Sequence, residues 1–251
     1  MKKKSEVLYG VRPVIEAIDS GQQLEKIMIQ KGLKGELSSH LRQLARKHRV
    51  PLQQVPLAAL NKITRNNHQG VVAYVSAITY VSVEEILTRV FEEGRTPLVL
   101  MLDHVTDVRN FGAIARTAEC AGVDVIITAA RGAAFINADA VKTSAGALMK
   151  IPVHRSFNLP ETVDLLKSYG LKIVTATEKT TRLYADINYT GPVAIVLGAE
   201  DKGVDKDIID KSDELAKIPM MGNIASLNVS VSNGVLLYEV VRQRMKQQEN
   251  E

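Results

Sequence analysis

Apolar and polar positions along the chain follow two periods, and the changes between them divide the sequence. Val14, Ile15 and Ile18 recur at helical spacing and predict a helix over 12–19, followed by a short strand over 26–30. Residues 36–48 place Leu37, Leu41, Leu44 and Ala45 on one face of a basic amphipathic helix. Strands near 52–55 and 71–75 flank a short helix over 56–63, so residues 1–75 read as a small αβ sandwich. Residues 76–95 read as a linker carrying one helix, 82–92, which stops at Glu93-Gly94-Arg95-Thr96-Pro97.

From residue 96 the pattern belongs to another kind of domain, running to 251. Leu98 to Leu102 is a continuous apolar run, as in a parallel strand buried on both faces. A helix over 111–121 and a strand over 124–128 follow, then a helix near 138–148 and a strand over 151–153. A helix over 160–169, strands over 172–176 and 193–197, a helix over 204–209 and a last helix over 229–246 complete the series. Strands alternating with helices imply an α/β domain with a mostly parallel sheet.

Composition narrows the class. Among 251 residues, 45% are hydrophobic and 24% charged, ordinary for a protein with a sizeable core. No apolar run approaches the roughly 18 residues of a membrane helix, and no apolar segment follows the basic start Met1-Lys2-Lys3-Lys4-Ser5-Glu6. Cys120 is alone, which excludes a disulfide framework or multi-cysteine metal site and points to a reducing cytoplasm. The net charge of +4 conceals an asymmetry: residues 1–75 hold 13 Lys or Arg against five Asp or Glu, and residues 76–251 hold 19 against 23. A basic module beside a mildly acidic one suggests that the first meets a polyanion. Aromatics are only 4% and Trp is absent, so base stacking is poorly supported and phosphate and shape contacts should dominate.

The familiar cofactor signatures are missing. There is no P-loop, no Gly-x-Gly-x-x-Gly after the first buried strand, and no His-Glu-x-x-His. His104 and His154 sit at strand ends without metal-ligand spacing, and Cys120 falls in the apolar register of its helix, as a small buried hydrophobe would. Three stretches resist explanation as packing. In Asp103 to Ala118, Asn110 stands where a helix cap would be, Gly112 allows close approach, and Arg116 lies among small apolar residues where a charge needs a partner. In Ala194 to Val204, a buried strand runs into an acidic turn with Glu200 between Gly198 and Gly203, at the carboxyl end where open α/β sheets bind ligands. In Ile218 to Val235, an apolar loop passes into small polar residues that open the last helix; Ser226 and Asn228 could cap it, yet so many backbone-competing residues suit a site better than a helix start.

These stretches, in this order, resemble the three motifs of the SpoU (TrmH-like) branch of the SPOUT methyltransferases: Asn110-x-Gly112-x-x-x-Arg116-Thr117, Leu197-Gly198-x-Glu200-x-x-Gly203, and Ile218-Pro219-Met220 with Ser226-Leu227-Asn228-Val229-Ser230. Lys142-Thr-Ser-Ala-Gly-Ala147 is similar to a further family segment. Tyr9-Gly10-x-x-Pro13-Val14-x-Glu16-Ala17 and His68-Gln69-Gly70-Val71 resemble the family's L30e-like substrate-binding domain. The resemblance implies a parallel-sheet SPOUT domain with a deep trefoil knot, a homodimer with catalytic residues from both subunits, and S-adenosylmethionine without a metal. Among its members, the chain looks most like 23S rRNA guanosine 2′-O-methyltransferases.

The same resemblance implies roles for single residues. Asn110, Arg116, Glu200, Ser226 and Asn228 become the catalytic set. Thr175, Leu197, Gly198, Glu200, Ile218, Met220, Leu227 and Asn228 become the cofactor-binding set. Arg116 would activate the ribose 2′-hydroxyl, but a guanidinium stays protonated and is a poor base, so it should bind the adjacent phosphate and stabilise the developing alkoxide. Two other readings stay open: a tRNA 2′-O-methyltransferase of the same family, and a non-catalytic RNA-binding ribosome-assembly factor.

Overall fold

The computed structural model describes residues 7–250, so the basic start at Met1–Glu6 lies outside the described residues. The chain divides into two compact units, one of residues up to Thr79 with the segment Phe135–Ala138, the other of Tyr80–Ala134 and Asp139–Glu251.

The first unit is built on strands β1 (Val7–Tyr9), β2 (Leu24–Gln30), β3 (Leu52–Val55) and β4 (Val71–Val75), in the order β1-β4-β2-β3. β4 runs antiparallel to both neighbours, while β3 runs parallel to β2. The strand period sorts β4 by face: Val71 and Ala73 join the core under helices α1 (Val11–Asp19) and α2 (Glu36–Lys47). Val72 points the other way, toward Leu60 of α3 (Leu57–Ile63). Helix periodicity anticipates α1, α2 and α3; β1 is too short to register as a pattern.

The second unit holds a six-stranded sheet whose every pairing is parallel. Its strands are β5 (Leu98–Asp103), β6 (Val125–Ala129), β7 (Val153–Ser156), β8 (Lys172–Ala176), β9 (Val193–Gly198) and β10 (Glu214–Ala216), in the order β10-β8-β9-β5-β6-β7. Central β5 is buried throughout, which is why its sequence is a run and not an alternation. Val99, Met101, Ala194 and Val196 face one core with α4 (Val83–Glu92) and α7 (Leu159–Ser168). The opposite side carries α5 (Val108–Cys120) and α9 (Val229–Gln248), which pack on each other, with α9 also against β9. Among the described residues no helix is long and apolar enough to cross a membrane.

Several expectations need correction. The helix expected near 138–148 is α6 (Ala138–Thr143) and a separate 3-10 turn, Ala147–Met149. Ala145 at φ 51° and Gly146 at φ 88° adopt left-handed backbone that no α-helix can pass through. The strand expected at 151–153 lies at 153–156, and the helix at 204–209 shortens to α8 (Lys206–Ile209). Asn110 is not a cap: α5 begins three residues earlier, where the Asp107 carboxylate accepts from the Asn110 amide at 2.7 Å. Cys120 is exposed instead of buried, because α5 turns that flank to solvent. Short β10 escaped the pattern altogether.

Arg244 anchors the end of α9. Its guanidinium donates to the carbonyls of Thr96 (2.9 Å), Pro97 (2.9 Å) and Gly191 (3.0 Å), and more weakly to Tyr189 (3.4 Å). Burial pulls its pKa below the ordinary guanidinium value, with Asp124 partly opposing. These carbonyls belong to the segments entering β5 and β9, so one side chain ties the last helix to both central strands. Arg244→Ala should cost about 2–4 kcal/mol by urea titration, since hydrogen bonds to a charged group contribute about 1.5–3 kcal/mol each and are partly replaced by water. Arg244→Lys should recover little, because a single ammonium cannot span the fork.

Candidate functional site

A cavity of about 470 Å³ opens at the carboxyl ends of β8, β9 and β10, within the range of small-molecule sites. Its first wall is the turn after β9. Gly198 leads into Ala199–Gly203, which closes on itself through the Gly203 amide and the Ala199 carbonyl at 2.7 Å. A Cβ on Gly198 would lie 2.1 Å from the Gly203 carbonyl carbon and 2.4 Å from the Val204 nitrogen, so only glycine lets the two backbones meet. Gly203 adopts φ 69°, the left-handed turn that returns the chain. The second wall follows β8 through Ala176–Lys179, and the third runs from Ala216 through Ile218 and Met220 to Ala225, Ser226 and Leu227.

A polar cluster sits where the loop after β9 meets the start of α9. Asn228 caps α9, its Oδ1 accepting from the Ser230 amide at 3.0 Å and the Ser230 hydroxyl at 2.5 Å. Its Nδ2 donates to Glu200 Oε1 at 2.6 Å and to Asn110 Oδ1 at 3.2 Å. The same Glu200 oxygen accepts from the Val229 amide at 2.9 Å, so a carboxylate sits at a helix N-terminus, where the backbone dipole favours it. One residue from each of the three sequence stretches is thereby joined in a single hydrogen-bonded group. Val229 and Ser232 carry the cavity wall onto α9.

The sequence-predicted residues distribute as follows. Leu197, Gly198, Glu200, Ile218, Met220, Ser226 and Leu227 line the cavity, and Asn110 and Asn228 join it through the Glu200 cluster. Thr175 does not line it: fully buried, its hydroxyl is 2.7 Å from that of Ser212, and the wall begins one residue later at Ala176. Ser226 is exposed and the cap falls to Asn228. Arg116 also lies outside the cavity, on the exposed flank of α5, with no hydrogen bond or ion pair to any described residue. The partner that its charge calls for is therefore not supplied by the described residues. Gly112 brings α5 onto α6: a Cβ there would stand 2.7 Å from Thr143 Cβ and 2.9 Å from the Ala140 carbonyl. The motif reading missed Thr177, Glu178 and Lys179, although the rule that ligands bind beyond the carboxyl ends of strands points there.

Known proteins resemble this chain over most of its length. The model of the SpoU rRNA Methylase family matches residues 97–238, and that of RNA 2′-O ribose methyltransferase substrate binding matches residues 7–81. A Staphylococcus epidermidis protein named for the TrmH family of tRNA/rRNA methyltransferases is 35% identical over 97% of this chain and 98% of its own length. A Bacillus subtilis protein of the same designation is 34% identical over 97% and 98%. The solved structure of the SpoU methyltransferase AviRb from Streptomyces viridochromogenes, in complex with the cofactor AdoMet, is 25% identical, covers 96% of this chain and 90% of that one, and superposes with a TM-score of 0.61. With both family models matched in tandem, and relatives aligned almost end to end, the chain belongs to the SpoU rRNA methylase family of TrmH-like RNA methyltransferases.

Proposed function

We propose that the protein transfers a methyl group from S-adenosylmethionine to a ribose 2′-hydroxyl, with a guanosine of 23S rRNA as the target. The observation that carries this reading is the convergence of Asn110, Glu200 and Asn228 beside a cavity walled by the glycine turn after β9. The cavity suits the cofactor: its volume falls in the small-molecule range, and Leu197, Ile218, Met220 and Leu227 supply apolar surface beside backbone amides and carbonyls. When bound, S-adenosylmethionine supplies a methyl already activated on sulfonium sulfur, so the reaction calls on no metal.

The remaining work falls to side chains of this chain. Leu197, Gly198, Ile218, Met220 and Leu227 hold the cofactor, and Glu200 and Asn228 fix the entry of α9 beside it. Asn110 and Ser226 orient ribose or phosphate. Arg116, which pairs with no other described residue, grips the phosphate next to the target ribose and stabilises the forming alkoxide, while phosphate or water takes the proton. Residues 1–75 form an L30e-like arm that recruits RNA, residues 76–95 connect it to the catalytic domain while adding α4 to that domain's core, and residues 96–251 are the catalytic domain, threaded as a deep trefoil knot. The bond from Glu200 to the start of α9 supports the threading, since the last segment returns from edge strand β10 to the central loop. Val231, Tyr238 and Met245, seven residues apart and each at least half exposed on α9, support a homodimer built on that stripe. A cytoplasmic location follows from an RNA substrate and a lone thiol.

Tritiated-methyl transfer to 23S rRNA and to tRNA, followed by mapping of 2′-O-methyls after alkaline hydrolysis, tests the reading. Label at a 23S guanosine is expected; label only in tRNA selects the sister activity, and cofactor binding without transfer selects an assembly factor. A variant lacking residues 1–75 should keep its cofactor affinity but bind RNA at least about tenfold more weakly, given the loss of many phosphate contacts. Unchanged RNA retention in filter binding would sink the recruiting role.

A further inference from the structure

The six-residue turn Ala199–Val204 that walls the cavity is fastened at both ends to a single residue outside it. The Ala199 amide donates to the Asp103 carbonyl at 3.1 Å, and the Asp205 amide donates to Asp103 Oδ2 at 2.8 Å. Asp103 itself ends β5, in register with Gly198 on β9, and is only 2% exposed. The next residue, His104, adopts φ 56°, a left-handed conformation that costs a non-glycine residue about 1 kcal/mol or more. From there its Nε2 lies 3.0 Å from Asp205 Oδ1 and 3.6 Å from Asp103 Oδ1. Asp103, His104 and Asp205 each bring a potential metal-ligand atom within 4.8 Å of the others, but these atoms are engaged with one another and with backbone.

We infer that Asp103 and His104 are positioning residues that set the shape of the Ala199–Val204 turn, and through it the affinity for S-adenosylmethionine. The inference rests on the cavity being the cofactor site. The β5 run Leu98 to Leu102 is wholly apolar, and an apolar residue would fill the sixth position at lower cost than a buried carboxylate. Burial pushes the Asp103 carboxyl above its ordinary pKa, and the Asp205 amide and His104 only partly offset that cost. What the carboxylate does at this position is hold the far end of the turn, which no hydrocarbon can do. Glu200 lies inside the fastened segment, so its reach to Asn228 and Val229 depends on both anchors.

The test uses full-length protein with Asp103→Asn, His104→Ala and His104→Gln, reading cofactor Kd by calorimetry, apo Tm, and KM against kcat in methyl transfer. Asp103→Asn should raise Kd and the cofactor KM about tenfold, the loss of one charge-assisted bond, with kcat and apo Tm close to wild type. His104→Ala should weaken binding several-fold, and His104→Gln, which keeps a donor of similar reach, should restore most of it. Wild-type Kd in Asp103→Asn overturns the inference, as does a rise in Kd for His104→Gln equal to that of His104→Ala. Should Asp103→Asn fail to fold, the two His104 variants decide. A wild-type protein that does not bind S-adenosylmethionine overturns the reading of the cavity itself, whereas wild-type binding with indifferent variants overturns only the role of the anchors.

Discussion

Arg116→Ala should lower methyl transfer on the order of 10²–10³-fold, the range seen when one preorganised donor to a developing oxyanion is removed. The cofactor Kd should stay within about twofold of wild type, because Arg116 does not line the cavity. Stability should hold as well: the side chain is exposed and engages no described residue, so truncation leaves no unpaired buried group. Single-turnover transfer and isothermal titration separate the two quantities. Lost cofactor affinity, or an active variant, would overturn the assignment. Arg116→Lys adds a finer reading: a point charge still attracts phosphate but loses the planar fork, so partial activity with weaker RNA binding is expected.

Gly198→Ala should abolish measurable cofactor binding and lower stability by roughly 1–3 kcal/mol, the usual cost of overpacking, toward its upper end. The added methyl would collide with the carbonyl carbon and oxygen of Gly203, at 2.1 and 2.2 Å, and with the Val204 nitrogen at 2.4 Å. All three are backbone atoms, so no rotamer change relieves the clash; the turn must open, and with it the cavity wall and the seat of Glu200. Gly191→Ala is the matched control, since no atom of the described residues beyond its chain neighbours lies within 4 Å of its Cβ position, and wild-type binding is expected there. Calorimetry beside thermal unfolding of both variants checks the pair. Normal affinity in Gly198→Ala would show that the close approach of the two backbones is dispensable.

Much of the fold was legible because burial leaves a periodic trace. The runs in β5 and β9, and the faces of α1, α2 and α4, follow from which positions meet a core. Where backbone conformation overrode side-chain pattern, the reading failed. Left-handed Ala145 and Gly146 divide an apparently continuous helix, and β1 and β10, three residues each, are too short to show any period. The candidate site was legible as three motif stretches through their residue chemistry, but their side chains were not individually placed. Thr175 carries its hydroxyl to Ser212 because strand alternation points it inward, while the chain just past the strand end, Ala176–Lys179, takes the wall.

By itself the sequence determined the alternation of strands and helices, the basic and acidic halves, and the three stretches whose residue types suit a ligand better than a core. Those are properties of local spacing and side-chain chemistry, which do not depend on how distant segments meet. Only the tertiary structure decided that Asn110 and Asn228, 118 residues apart, share a hydrogen bond, and that Asn228 also donates to Glu200. It decided equally that Arg116 faces solvent and that one buried aspartate, Asp103, fastens both ends of the cavity turn. The reason is strand order: β9 lies beside β5 although β6, β7 and β8 separate them in sequence, and no periodicity along the chain encodes which carboxyl ends stand side by side.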